Sequence, residues 1–234
     1  MKIVILSGAG ISAESGVATF RGAGGLWEGH DIMEVASPEG WQNNTELVLD
    51  FYNKRRKQLL SVEPNPAHRI CAELQQWFNV EVITQNVDDL HERAGSERVL
   101  HLHGELRKVR SEIDENYIVK VSGDIHLGDK CPKGGQLRPH VVWFGEMVPM
   151  MEPAEEIIRN ADIAVVVGTS LQVYPAAGLV LQTPPHCKIW YIDPNPGNEL
   201  TSYFGKRLTL VADKASTGMK RFKEYILSEA KIEP

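Results

Sequence analysis

Apolar residues are distributed along the chain with two periods. A continuous aliphatic run occurs at residues 3–6, and similar short apolar runs recur at 80–83, 163–167, 189–192 and 208–211. Short, mainly apolar runs suit strands of a parallel sheet, which is covered on both faces. Between the runs, residues 46–60, 66–78, 153–160 and about 216–228 carry helical patterning. Strands alternating with helices predict an α/β fold with a doubly wound, Rossmann-like parallel sheet. Two segments break the alternation. Residues 22–40, rich in Gly, Trp and acidic side chains, read as a mobile loop rather than a strand. Residues 107–138 read as short strands joined by turns at Ser122-Gly123-Asp124 and Lys133-Gly134-Gly135, a small insert. This organisation assigns residues 1–27, 61–104 and 139–234 to the Rossmann-like domain, and 28–60 with 105–138 to a smaller module.

Length and composition narrow the picture. A chain of 234 residues with 42% hydrophobic content can bury one full α/β core. A net charge of -6 lacks the basic footprint of a nucleic-acid binder, so no nucleic acid is expected, and it tolerates cationic, lysine-bearing partners. Cys71, Cys131 and Cys187 are few and scattered, which argues against a disulfide framework and for a reducing, cytoplasmic setting. The run at residues 3–6 is too short for a secretory segment or a bilayer span, and no membrane partner is expected.

Candidate chemistry starts where the first strand ends. Gly8-Ala9-Gly10-Ile11-Ser12-Ala13 fits G-x-G-x-x-G/A, in which glycines let the backbone approach a pyrophosphate and leave amides free to bind it. A hydride-transfer Rossmann domain would add an acidic residue about 20 positions on, after a second strand. Here that distance falls at Asp31, inside the glycine-rich segment, which weakens a dehydrogenase reading. His103 ends an apolar stretch, and an imidazole titrating near ~6.5 suits a general base. His101 shares its face if the strand persists, so a divalent ion held by both imidazoles with Glu105 or Asp88 is also open.

Further motifs follow in order: Glu14-Ser15-Gly16-Val17, Thr19-Phe20-Arg21-Gly22, Thr84-Gln85-Asn86-Val87-Asp88, His103-Gly104-Glu105, Phe144-Gly145-Glu146 and Gly168-Thr169-Ser170. Together they cover nearly the whole chain, which resembles the sirtuins, and most of all the bacterial and mitochondrial members that remove acidic acyl groups. The resemblance implies an NAD-dependent protein lysine deacylase acting on acylated-lysine proteins or peptides. It would remove succinyl, malonyl and acetyl groups and release nicotinamide and O-acyl-ADP-ribose. By the same resemblance Gly8, Ala9, Gly10, Ser12, Ala13, Thr19, Phe20, Arg21, Trp27, Gln85, Asn86, Asp88, Gly168, Thr169, Ser170, Asp193 and Ala212 hold NAD. His103 and Asn86 are the implied catalytic residues. Val142, Phe144, Gly145, Glu146, Val173 and Tyr174 are implied to clasp an extended peptide by strand addition.

The residue types suit that chemistry. Thr19, Gln85, Asn86 and Asp88 offer donors and acceptors for a ribose and a carboxamide, while Phe20 and Trp27 can cover an electron-poor carbon and exclude water. Asp193 can accept from two ribose hydroxyls and would repel a 2′-phosphate, favouring NAD over NADP. Tyr52 and Arg55 stand i and i+3 on a helix, and the resemblance makes them receivers of an acyl carboxylate, with Ala36 widening the pocket. The sirtuin zinc positions correspond to Ser111, Asp114, Cys131 and Gly134, so most zinc ligands are lost and zinc is not expected. The insert is expected to be held by its strands and by Tyr117, Ile118 and Val119 instead. A dehydrogenase, a non-catalytic reader of NAD or ADP-ribose, and a metal hydrolase remain as alternatives.

Overall fold

The chain begins with β1 (Lys2–Ser7) and the short helix α1 (Gly10–Ala13). A ladder of β2 (Leu26–Trp27) with β3 (His30–Asp31) then leads into α2 (Ile32–Val35), α3 (Pro38–Asn43) and α4 (Thr45–Ser61). Next come α5 (Pro66–Glu73), β4 (Asn79–Thr84), α6 (Leu90–Arg93), β5 (Val99–His101), β6 (Gly104–Ser111), β7 (Ile118–Lys120) and β8 (Leu137–Val141). The last part is α7 (Met151–Ile158), β9 (Ile163–Val167), β10 (Lys188–Ile192), α8 (Glu199–Phe204), β11 (Leu208–Val211) and α9 (Ala215–Ala230). This computed structural model describes residues 1–18, 26, 27 and 29–232, the side chains of Leu26 and Glu199 excepted.

All five apolar runs lie in one six-stranded sheet of order β11-β10-β9-β1-β4-β5, whose paired strands are parallel. Successive side chains of β1 point to opposite faces. Ile3 and Ile5 pack with Ile70 and Leu74 below α5 and with Met219 and Phe222 of α9. Val4 and Leu6 pack with Ala154 and Ile158 of α7 and with Leu179 and Val180. All four β1 side chains are wholly buried, each worth roughly 1.5–3 kcal/mol. The doubly wound, Rossmann-like fold expected from the apolar runs is therefore the one observed.

Helix limits depend on local capping. Asn65 accepts from the Ala67 amide and His68 Nδ1 accepts from the Asn65 amide, which starts α5 at Pro66. The helix read over 66–78 ends at Glu73 and continues only as a 3₁₀ turn, Leu74–Gln76. The helix read over 153–160 starts two residues earlier, at Met151, because Pro153 falls in its first turn, where no amide is needed. Within the segment read as a loop, α2 and the start of α3 form instead. Asp31 accepts from the Met33 amide and Ser37 from the Gly40 amide, two caps that fix those turns.

The small module is a three-stranded antiparallel sheet, β7-β6-β8. Its core is Leu106, Val109, Ile125, Val141 and Trp143 against Val48, Phe51 and Tyr52 of α4. Tyr117, Ile118 and Val119 do not hold it: Ile118 and Val119 are exposed on the edge strand β7, and α4 packs chiefly on β6 and β8. No helix among the described residues is long and apolar enough to cross a membrane.

Candidate active site

From β1 the chain moves to β4 and β5 on one side of the sheet, and from β9 to β10 and β11 on the other. The crevice at the carboxyl ends of strands, where the winding reverses, is where ligands bind in such sheets. A cavity of about 720 Å³ lies at these strand ends. Gly8, Ala9, Gly10, Ser12 and Ala13 line it after β1, Gln85, Asn86 and Asp88 after β4, and His103 after β5. Gly168, Thr169 and Ser170 after β9 and Asp193 after β10 complete this wall. The opposite wall includes Trp27, Ala36, Tyr52 and Arg55, and the rim carries Val142, Phe144, Gly145, Glu146, Val173 and Tyr174. Thr19, Phe20 and Arg21 lie outside the described residues. Ala212 is exposed and does not line the cavity; Lys214 and Ala215 do, because the turn that buries Val211 faces Ala212 outward.

The glycine turn is built for close contact between two strand ends. A Cβ on Gly8 would stand 2.8 Å from the Gly168 oxygen, and one on Gly10 2.7 Å from the Gly168 Cα. Gly168 adopts φ +64, which favours glycine in its own right. The amides are not free as the motif suggests. Those of Gly8 and Gly10 bond to the Val167 and Gly168 carbonyls at 3.1 and 2.7 Å, and those of Ile11 and Ser12 to Gly8 and Ala9. The glycines thus bring two backbones together at the crevice.

Beneath the cavity is a buried polar network. Ser12 Oγ donates to Asp88 at 2.8 Å and accepts from Asn86 Nδ2 at 3.1 Å, with His68 Nε2 3.3 Å away. Because His68 Nδ1 accepts from the Asn65 amide, its proton sits on Nε2 and points at Ser12. Burial, aided by Arg69, pushes His68 down to about 4, so the ring is neutral. Burial raises Asp88 against the opposing bond from Ser12. The Asn86 backbone is further fixed by its N–H, which donates to Thr84 Oγ1 at 3.1 Å. The network holds the Asn86 and Asp88 side chains in single orientations.

The two candidate histidines separate because β5 ends at His101. His101 donates to the Asn86 carbonyl at 2.9 Å and to Glu92 at 2.7 Å. Burial lowers its pKa, but the bond and charge of Glu92 outweigh that and raise it above the ordinary value. It is an ion-pair partner outside the cavity. His103 Nδ1 donates to the Gln85 carbonyl at 3.0 Å, which leaves Nε2 as the basic nitrogen. Burial, partly opposed by that bond, lowers its pKa, so the ring is neutral at pH 7.

At the far end, the Tyr52 phenol is wholly buried and Arg55 is 8% exposed, stacked 4.4 Å from the Trp27 ring centroid. Ala36 is buried beside them, and its carbonyl accepts from the Phe144 amide at 2.9 Å. The Glu146 carboxylate is taken up within the fold, by Arg138 at 2.7 Å, Arg110 at 3.1 Å and the Trp143 amide at 2.7 Å. It shapes the 142–146 loop.

The model of the Sir2 family matches residues 8–175 of this chain. The chain belongs to the Sir2 family. An NAD-dependent protein deacylase of Helicobacter pylori (strain J99 / ATCC 700824) is 59% identical over 197 residues, 84% of either chain. One of Bacteroides thetaiotaomicron is 49% identical over 232 residues, 97% of this chain and 98% of its own. The crystal structure of a Sir2 homologue in complex with NAD has a TM-score of 0.87 at 40% identity, covering 97% of this chain and 90% of its own.

In this Sir2 chain the positions that the sirtuin resemblance marks for zinc make other bonds. Ser111 Oγ donates to Cys131 Sγ at 3.2 Å, and Asp114 pairs with Lys133 at 2.8 Å. The donor set of one thiolate, a hydroxyl, a carboxylate and a glycine does not fit tetrahedral structural zinc. No group of three or more His, Cys, Asp or Glu side chains that could hold a metal ion occurs among the described residues. Sequence reading missed several contributors to the site. Gln58 also lines the cavity, and its i+3 spacing from Arg55 on α4 was the available signal. The capping sequence from Asn65 to His68 hinted at His68, whereas nothing local marked Trp143.

Proposed function

We propose that this chain is an NAD-dependent protein lysine deacylase that accepts succinyl and malonyl as well as acetyl groups. The observation that carries the reading is that buried Tyr52 and Arg55 open on the same cavity as the basic nitrogen of His103. A guanidinium and a phenol give a carboxylate charge-assisted hydrogen bonds of ~1.5–3 kcal/mol each when sheltered. An acetyl group offers them no acceptor, yet fits the same space. The names of the two bacterial relatives and the NAD complex support the cofactor and the reaction class.

The strand-end wall fits a dinucleotide: two backbones meet at glycines, and Gln85, Asn86, Asp88, Ser170 and Asp193 present polar groups to one crevice. Asp193 is the acceptor for ribose hydroxyls and the reason a 2′-phosphate is disfavoured. NAD, when bound, supplies an electrophilic ribose carbon and nicotinamide as leaving group. Asn86, held by Ser12 and Thr84, orients the reacting region, and His103 Nε2 takes the proton that frees a hydroxyl to receive the acyl group. Trp27 shields the centre from water. The rim loops at 142–146 and 173–174 clasp the acylated peptide, with Phe144 and Tyr174 exposed beside the opening.

Comparing succinyl and acetyl peptides on the Arg55→Met variant tests the acyl assignment. The expected outcome is a ~10-fold or larger fall in kcat/KM for succinyl peptide and a much smaller one for acetyl peptide. Equal losses would assign Arg55 to the fold or to cofactor binding.

A further inference from the structure

Trp143 is 2% exposed, and its indole Nε1 donates to the Tyr52 oxygen at 3.0 Å. An indole nitrogen can only donate, so the Tyr52 oxygen must accept, and the phenol's single proton is left for another partner. Tyr52 and Trp143 both line the cavity. Burial, against the opposing bond from Trp143, raises the Tyr52 pKa beyond the ordinary phenol range, so that proton stays in place.

The indole is itself held on several sides. The Arg138 guanidinium lies 3.3 Å from the Trp143 ring centroid, and Trp41 packs at 5.6 Å between centroids. Glu146 bonds both Arg138 and the Trp143 backbone amide, at 2.7 Å each. A rigid indole therefore joins the 142–146 loop to the floor of the acyl pocket.

We propose that Trp143 is a specificity-positioning residue: by occupying the acceptor side of Tyr52, it aims the phenolic proton at the carboxylate of an acidic acyl group. The proposal rests on the reading of Tyr52 and Arg55 as carboxylate receivers. Without the indole N–H, the phenol turns freely between accepting and donating, and a carboxylate, which only accepts, loses a preorganised donor. An acetyl group makes no use of that donor.

The test compares kcat/KM for succinyl and acetyl peptides in the wild type, Trp143→Phe, Tyr52→Phe and the double variant. Trp143→Phe keeps an aromatic ring and removes the N–H. It should lower the succinyl-to-acetyl ratio of kcat/KM about five-fold, the size expected from one hydrogen bond, over and above any loss that the two substrates share through the 142–146 loop. In the Tyr52→Phe background the same change should leave the succinyl-to-acetyl ratio unaltered, since the oxygen it acts on is gone. Incorporating benzothienylalanine at position 143, which keeps the indole shape with sulfur in place of N–H, must reproduce the selective loss if Trp143→Phe fails to fold. Equal losses on both substrates, or an undiminished effect in the Tyr52→Phe background, overturn the role of Trp143. A wild type that leaves succinyl peptide untouched overturns the acidic-acyl reading itself, and this proposal with it.

Discussion

At His103 one hydrogen bond decides which nitrogen can act. Donation from Nδ1 to the Gln85 carbonyl leaves Nε2 unprotonated on the cavity side, and burial keeps the ring neutral at working pH. His101, two residues away, is held towards the charged form by Glu92 and has no free nitrogen. Replacing His103 by Tyr should cut deacylation ~10² to ~10⁴-fold while NAD binding, followed by calorimetry, is retained. Near-normal turnover would remove His103 from the mechanism. The same geometry sets the pH dependence: the base must be neutral and its pKa is lowered, so the acid limb of kcat/KM should fall below ~6.5 in the wild type. His103 was legible in the sequence because its neighbours form a local motif. The parts of His68 and Trp143 were not, since each acts on a residue far away in the chain: His68 on Ser12, Trp143 on Tyr52.

Elements were legible where one local force dominates. The apolar runs became strands because a parallel sheet covered on both faces buries consecutive apolar side chains, as it does throughout residues 3–6 and 163–167. Edge strand β7 defeated that logic: its apolar residues are exposed, and the module is held by α4 and by Trp143, which come from outside the insert. At the positions that the resemblance marks for zinc, a hydroxyl–thiol bond and an ion pair join the turns, beside a core packed on α4. Strong chelator should therefore leave both deacylation and the thermal midpoint unchanged, and metal analysis should return less than one zinc per chain. One tightly bound zinc per chain, or unfolding on chelation, would show that the turns are tied by ligands other than these four.

For the molecule as a whole, the buried network under the site couples stability to pH. His68 is held at about 4 by burial, whereas an unfolded histidine takes a proton near ~6.5. Its contribution is thus complete above ~6.5 and is lost as pH falls towards about 4, by about 3 kcal/mol in all. His91, fully buried against Ser7, shifts the same way. His101 has the opposite sign: its raised pKa adds stability at acid pH that is lost as pH rises through the folded value. Burial also lowers His103 and His140, and four groups against one predict urea midpoints that fall from about pH 7 to about pH 5, with a shallower slope in a His68→Gln variant. Flat midpoints over that range would show that these rings titrate normally in the fold. The strand-end wall, His103 and the Tyr52–Arg55 end line one cavity, and on the proposed reading they couple peptide deacylation to NAD. The most direct measurement incubates the chain with an acyl-lysine peptide, with and without NAD, and follows peptide mass and free nicotinamide together. Loss of the acyl mass is expected only with NAD, matched one for one by nicotinamide; deacylation without NAD, or without nicotinamide release, would contradict the proposed coupling.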